Sequence, residues 1–303
     1  CCTVVSMVSN GVIRALGNTA VPSLIMTLAA VIKILLSSLL IFGGGFFPVM
    51  GFKGAALATV ISRATSMLAS LAFLYYREQM LLFTFPKVKE VWKDWKNLLH
   101  VGLPTALTNM ITPASIGFIT SLIASYGSEA VAGFGIASRV GTLALIGLIG
   151  LSVGIGPFVA QNWGAKKYER VKRALSLSFL LCFSWSILTI AFFFVTAPQI
   201  VSIFENNPSV VEVATAYLKI IPLSYGALGI TLVCSSTFNA LGKPLISLVI
   251  TITRILLLYI PLTYIGSHFF GVYGVFWGLF ISNIIIGLGV LIWINTNFKM
   301  SIL

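Results

Sequence analysis

Residues 133–162 read GFGIASRVGTLALIGLIGLSVGIGPFVAQN, thirty residues with one charge, Arg139. Residues 163–173, WGAKKYERVKR, then crowd five basic side chains into a short connection. Residues 174–197, ALSLSFLLCFSWSILTIAFFFVTA, carry no charge. A helix crosses the hydrocarbon core of a bilayer in about 20 apolar residues. Two such runs around a basic hinge predict a pair of membrane-spanning helices. Both runs are too long for barrel strands of about 9–11 residues. Lipid also requires each segment to satisfy its own backbone polar groups, which a helix does.

The same pattern extends along the chain. Spans are predicted at 20–42, 52–76, 102–125, 133–162, 174–197, 210–237, 244–266 and 271–296, with residues 1–13 as the tail of another. Hydrophobic residues make up 58% of the chain and charged residues 9%. Soluble domains carry about 25% charged residues, so this chain cannot cover a water-facing globule. The chain opens Cys1-Cys2-Thr3 inside an apolar stretch with no basic segment before it, so this is not a secretory signal and reads as a truncated helix. The four cysteines (Cys1, Cys2, Cys182, Cys234) sit in apolar sequence without metal-ligand spacing and read as small lipid-facing or core residues.

The net charge of +12 sits in the connections. One set holds Arg14; Arg77, Lys87, Lys89, Lys93 and Lys96; Lys166, Lys167, Arg170, Lys172 and Arg173; Lys243; and Lys299. The opposite set holds Lys53, with Glu129, Glu205 and Glu212 nearby. Such asymmetry orients membrane proteins with the basic side inward. The connections at 14, 77–101, 163–173 and 243 and the C-terminus are therefore expected in the cytoplasm of a multi-pass protein of the bacterial inner membrane. A nucleic-acid partner is not expected, because the cations form no continuous patch. In the longest connection, 78–101, Val88, Val91, Trp92, Trp95, Leu98 and Leu99 recur at helical spacing opposite Lys87, Lys89, Glu90, Lys93, Asp94 and Lys96. This predicts an amphipathic helix lying on the cytoplasmic membrane surface.

An internal echo gives the organisation. Arg14-Ala15-Leu16-Gly17-Asn18 with Pro22 matches Asn239-Ala240-Leu241-Gly242-Lys243 with Pro244, and Gly51-x-x-Gly54 with Ile61-Ser62 matches Gly271-x-x-Gly274 with Ile281-Ser282. The two matches fall in the same order at nearly one offset, which points to duplication. Six spans separate the copies, an even number, so the repeats run parallel through the membrane, a transporter architecture with the cargo path between the halves. The expected fold is all-α integral membrane: a twelve-helix transporter of two parallel six-helix repeats, with about eight and a half helices present. Residues 1–77 would be the C-terminal part of the first lobe, 78–101 the linker, and 102–303 the second lobe.

Gly102-Leu103-Pro104, Gly135-Ile136-Ala137-Ser138-Arg139, Gln161-Asn162-Trp163-Gly164-Ala165-Lys166-Lys167 and Phe238-Asn239-Ala240-Leu241-Gly242-Lys243-Pro244 resemble the multidrug and toxic compound extrusion (MATE) family. The resemblance covers essentially the whole chain. It implies secondary active export by alternating access, driven by Na⁺ or H⁺ entry, with small amphipathic, often cationic, cargo. One branch of the family carries coupling carboxylates in its seventh and tenth spans, whereas 102–125 and 213–237 contain no Asp or Glu. The DinF-like branch, relying on an Asp in the first span, fits better. The coupling-cation site is then expected in N-terminal helices outside this chain, with no cofactor and a monomeric protein in the bilayer.

Five cations fall within predicted spans: Lys33, Arg63, Arg139, Lys219 and Arg254. Each costs about 2.5–3.5 kcal/mol at a bilayer centre on insertion scales, so they should face a bundle interior or cavity, or snorkel outward. Lys33, Arg139 and Arg254 are candidate cavity residues. Thr108, Asn109, Thr112 and Ser115, with Thr105, form a hydroxyl-rich face beside Pro113, suited either to cargo or to helix–helix contact. His100 and His268 have no companion ligands, and no GxxxxGK[ST], HExxH or GxSxG motif occurs, which disfavours nucleotide-driven transport and hydrolytic chemistry. A flippase for lipid-linked saccharide or peptidoglycan precursors is the alternative, because intramembrane cations without carboxylates suit an anionic pyrophosphate.

Overall fold

The computed structural model describes residues 2–43, 49–80 and 88–300. Cys1, Lys87 and the C-terminal residues 301–303, to which the sequence reading gave roles, lie outside that set, as do the side chains of Val88, Lys89, Glu90 and Lys299. The described chain is helical between short turns: α1 (Cys2–Ala15), α2 (Ala20–Phe42), α3 (Gly51–Tyr76), α4 (Val88–Ala124), α5 (Ser128–Gly164), α6 (Tyr168–Ser202), α7 (Pro208–Ile220), a 3₁₀ turn (Ile221–Ser224), α8 (Tyr225–Ala240), α9 (Pro244–Ile252), a π-helical segment (Thr253–Tyr259) and α10 (Ile260–Met300). They form two compact units, Cys1–Val88 and Lys89–Leu303.

The first unit is organised by α3. Its buried residues are Gly54, Ala58, Ser62, Ser66, Ser70 and Leu74, one in every four, and all but the last are small. Lipid tails are as apolar as leucine, so helices associate through close packing and hydrogen bonds across small residues. Ser66 Oγ lies 2.7 Å from Ser6 Oγ of α1, and Ser62 Oγ donates to Ala29 O of α2 at 2.6 Å.

The second unit shows the same inversion of polarity. In α6, Ser178, Cys182, Ser186 and Thr189 face inward, while Leu180, Ile187, Leu188, Phe194 and Val195 are all more than half exposed. Such a continuous apolar exterior has no place in water. Seven of the described helical stretches are long and apolar enough to cross a membrane by length and composition. Cys182 and Cys234 are free thiols packed in the core with Leu148, Tyr225 and Phe276.

Three elements differ from the sequence expectation. The amphipathic segment and the span after it are one continuous helix, α4, which runs through Pro104 and Pro113. A proline removes a single donor, and a membrane helix tolerates that without ending. The expected break at Gly102 is therefore absent. Trp92, Trp95, Leu98 and Leu99 remain strongly exposed along its first turns. Second, the expected span 210–237 is interrupted by the 3₁₀ turn at Pro222. Third, the last two spans follow each other across a sharp turn at Phe270 and Gly271, so that α10 is two helices. The helices also outrun the apolar windows. α5 has 37 residues, about 55 Å at 1.5 Å per residue, against a hydrocarbon core of about 30 Å.

The two sequence echoes are local structural echoes. Gly17 and Gly242 both take positive φ, at 90° and 71°. Gly17 N donates to Arg14 O and Asn18 N to Ile13 O; Gly242 N donates to Asn239 O and Lys243 N to Phe238 O. Each is a helix-ending motif in which the left-handed residue caps the last carbonyls. Gly51 and Gly271 again share positive φ, at 53° and 59°. Three residues on, a Cβ at Gly54 would meet the Leu40 backbone at 2.5 Å, and one at Gly274 would overlap the Gly266 backbone. The paired glycines thus make a turn and then the close approach of the two helices it joins.

Gly274→Val is therefore expected to destabilise the folded protein by at least about 1–3 kcal/mol, the usual range for overpacking. Gly289, with open space around its Cβ position, is the control. Thermal unfolding in detergent should separate Gly274→Val from Gly289→Val, and equal midpoints would refute the close-approach reading.

Candidate functional site

Inside the second unit, α4, α5, α7, α8, the π-helical segment and the second half of α10 surround a cavity of about 260 Å³. Both departures from α-helical geometry border it: Ile221 from the 3₁₀ turn, and Arg254, Ile255 and Tyr259 from the π-helical segment. Arg254 and Tyr259 are five residues apart. At about 100° per residue an α-helix would set them about 140° apart, whereas the wider turn of i→i+5 closure narrows that angle. The wider turn therefore puts a cation and a phenol on one wall.

The charge of the cavity is one-sided. Arg139 of α5 stands exposed along its edge and Arg254 is half-buried in its wall, while no Asp or Glu lines it. Arg254 makes no ion pair or hydrogen bond among the described residues. A guanidinium at this depth without a counter-charge is costly and is the feature that most needs an external partner.

Aromatic and amide groups complete the wall. Tyr217, half-buried, meets Phe134 and Phe276 edge to face, with centroids 5.6 and 5.2 Å away. Tyr225 is 1% exposed, and its hydroxyl donates to Gly141 O at 3.3 Å. A Cβ at residue 141 would stand 2.8 Å from that hydroxyl, so the glycine makes room for it. Asn283 is 5% exposed; its Nδ2 donates to Ser224 Oγ at 3.1 Å, and its Oδ1 has no partner.

The cavity collects four of the residues chosen from sequence, Thr112, Ser115, Arg139 and Arg254. Ser115 Oγ already donates to Thr112 O at 2.7 Å, which leaves it an acceptor only. Thr108 is half-buried and bonded to its own helix, Asn109 is exposed, and neither lines the cavity. Lys33 and Arg63 are exposed on the first unit. Lys219 is exposed and lies over the Phe194 ring, 5.4 Å from its centroid, where a cation–π contact and a short reach outward hold it. Two of the five intramembrane cations thus share one interior cavity, both of them among the three chosen from sequence as cavity residues. Sequence reading missed Tyr217, Tyr225, Tyr259 and Asn283. A signal existed for the first two: residues 217, 221, 225 and 228 fall on one helical face.

Chemically, the arrangement offers two guanidiniums to an anion, phenol faces to a flat ring and an amide acceptor to a donor. It repels a cation. Arg254 is half-buried and without a counter-charge, and even paired ions taken from water are often replaced by apolar side chains with a gain in stability. Arg254→Met is expected to raise the unfolding midpoint of the detergent-solubilised protein, by about 1 kcal/mol or more, and Arg139→Met to leave it unchanged. A lower midpoint in Arg254→Met would mean that Arg254 holds the fold together.

A family model described as MatE matches residues 104–265. The FAD transporter of Shewanella oneidensis is 38% identical over 288 residues, covering 94% of this chain and 63% of that protein. The probable multidrug resistance protein NorM of Thermotoga maritima is 26% identical and covers 92% of this chain and 60% of its own length. The chain therefore spans less than two thirds of these relatives. Among solved structures, a point mutant of the Vibrio cholerae MATE transporter VcmN superposes with a TM-score of 0.87, at 27% identity over 97% of this chain and 66% of that one. The bent form of the same transporter gives 0.86 at 26% identity, over 99% and 68%. With a family match across more than half its residues and this fold, the chain belongs to the MatE family.

Proposed function

We propose that this chain is the larger part of a secondary active exporter whose cargo is an anionic, ring-bearing molecule of the flavin-dinucleotide kind, held on its way out in the cavity of the second unit. The observation that carries the reading is that Arg254 and Arg139 both line a cavity without a carboxylate. An anion supplies the counter-charge the wall lacks, and a charge-assisted hydrogen bond contributes about 1.5–3 kcal/mol. A cationic drug would meet only repulsion there. The name of the Shewanella oneidensis relative, FAD transporter, supports the same class: a diphosphate for the guanidiniums and a flat ring for the tyrosines. The cavity has room for one end of such a molecule and not for all of it.

Export is driven by antiport of Na⁺ or H⁺ bound away from this cavity, since its walls offer no carboxylate to hold a cation. The protein sits in the plasma membrane with its basic connections on the cytoplasmic side, and the exposed tryptophans at the start of α4 lie among the headgroups there. The lipid-linked saccharide alternative draws on the same cations, but the relatives' names point to transport of FAD and drugs.

The test is export by the full-length protein in proteoliposomes. FAD release should require a Na⁺ or H⁺ gradient and fall about ten- to a hundredfold in Arg254→Gln, the loss expected of one charge-assisted contact. Transport of a cationic dye with no movement of FAD would refute the anionic-cargo reading.

A further inference from the structure

The cavity wall contains a second unsatisfied group, and it is an acceptor. Asn283 is 5% exposed and its orientation is fixed: Nδ2 donates to Ser224 Oγ at 3.1 Å, and Ser224 Oγ, fully buried, donates onward to Ile221 O at 2.8 Å. That chain uses one of the amide's two N–H donors within the protein and leaves Oδ1 with no partner among the described residues. Neither guanidinium donates to it, and neither does Tyr217 or Tyr259, although all line the same space. A buried acceptor left unmade costs about 1–3 kcal/mol, which a donor brought by a bound molecule would recover.

We infer that Asn283 is a specificity-determining residue: its Oδ1 accepts a hydrogen bond from an N–H or O–H group at the ring end of the cargo. The inference rests on the anionic-cargo reading and deepens it. The cavity then recognises two features at once, an anionic group at the guanidiniums and a ring edge carrying a donor beside Tyr217. In a flavin dinucleotide the imide N3–H of the ring system is such a donor. A site built to bond a donor discriminates strongly against the analogue lacking it, because its own polar group is stranded.

Binding of FAD and of N3-methyl-FAD to the purified full-length protein in nanodiscs tests this. The native protein should bind FAD about tenfold or more tightly than the methylated compound. Asn283→Leu, which removes the acceptor, should bind both at the weaker level. Asn283→Asp, which keeps an acceptor oxygen, should retain the preference whatever its overall affinity, and guards against misfolding of the leucine variant. Equal binding of the two compounds by the native protein, or a preference that survives in Asn283→Leu, overturns the role given to Asn283. Failure of the native protein to bind FAD at all overturns the cargo reading and this role together.

Discussion

Lipid as solvent is the constraint from which the rest follows. It removes the ordinary reward for burying leucine and makes each unpaired polar group expensive. The helices answer by turning inside out. α3 buries a ladder of Gly, Ala and Ser at every fourth residue, and α6 buries Ser178, Ser186 and Thr189 while it exposes Leu and Phe. Hydroxyls at these positions bond neighbouring carbonyls, as Ser62 does with Ala29 and Ser186 with Pro222. Most buried hydroxyls are compensated in this way, though Asn10 Oδ1, Thr215 Oγ1, Asn239 Oδ1 and Ser247 Oγ, all outside the cavity wall, have no partner among the described residues. Arg254 and the Asn283 oxygen are two such groups in one cavity, and this coincidence turns a void into a candidate site.

The irregular helices explain how the cavity exists at all. Regular helices packed on small residues close up tightly: a Cβ at Gly147 would run into Trp185, and one at Gly229 into Cys182 and Leu148. A 3₁₀ turn narrows one wall and a π-helical segment widens another, so backbone and side chains no longer mesh at that level. Neither departure strands backbone groups in lipid, because both still close their own hydrogen bonds within the chain.

The large features were legible in the sequence because they depend on sums over many residues. Span positions and the helical fold follow from apolar runs, and the repeat from glycines whose roles are backbone roles. Gly17 and Gly242, or Gly51 and Gly271, share positive φ, a demand that composition expresses directly. What stayed hidden depends on single positions. Gly102-Leu103-Pro104 looked like a fresh helix start, yet one missing donor did not outweigh the hydrogen bonds on either side. Of the five cations in the spans, the sequence offers Lys33, Arg139 and Arg254 as cavity residues; tertiary packing brings Arg139 and Arg254 to one cavity, leaves Lys33 exposed and holds Lys219 over Phe194. Asn283 could not be chosen, since an asparagine in an apolar run reads as helix–helix glue unless its partners are known.

The repeat also shows why the halves need not share a cargo site. By the offset that aligns Ile61-Ser62 with Ile281-Ser282, Arg63 is the counterpart of Asn283. Ser62 reaches across to Ala29 of α2, whereas Ser282 bonds back to Leu279 of its own helix. The first copy thus uses this level to clamp two helices and leaves Arg63 exposed, while the second leaves Asn283 buried with a free acceptor. Backbone-determined positions, the capping and turn glycines, have stayed equivalent because any change strains the fold. Side-chain positions between them have been free to separate, and the cavity lined by Arg254 and Asn283 lies in the second copy.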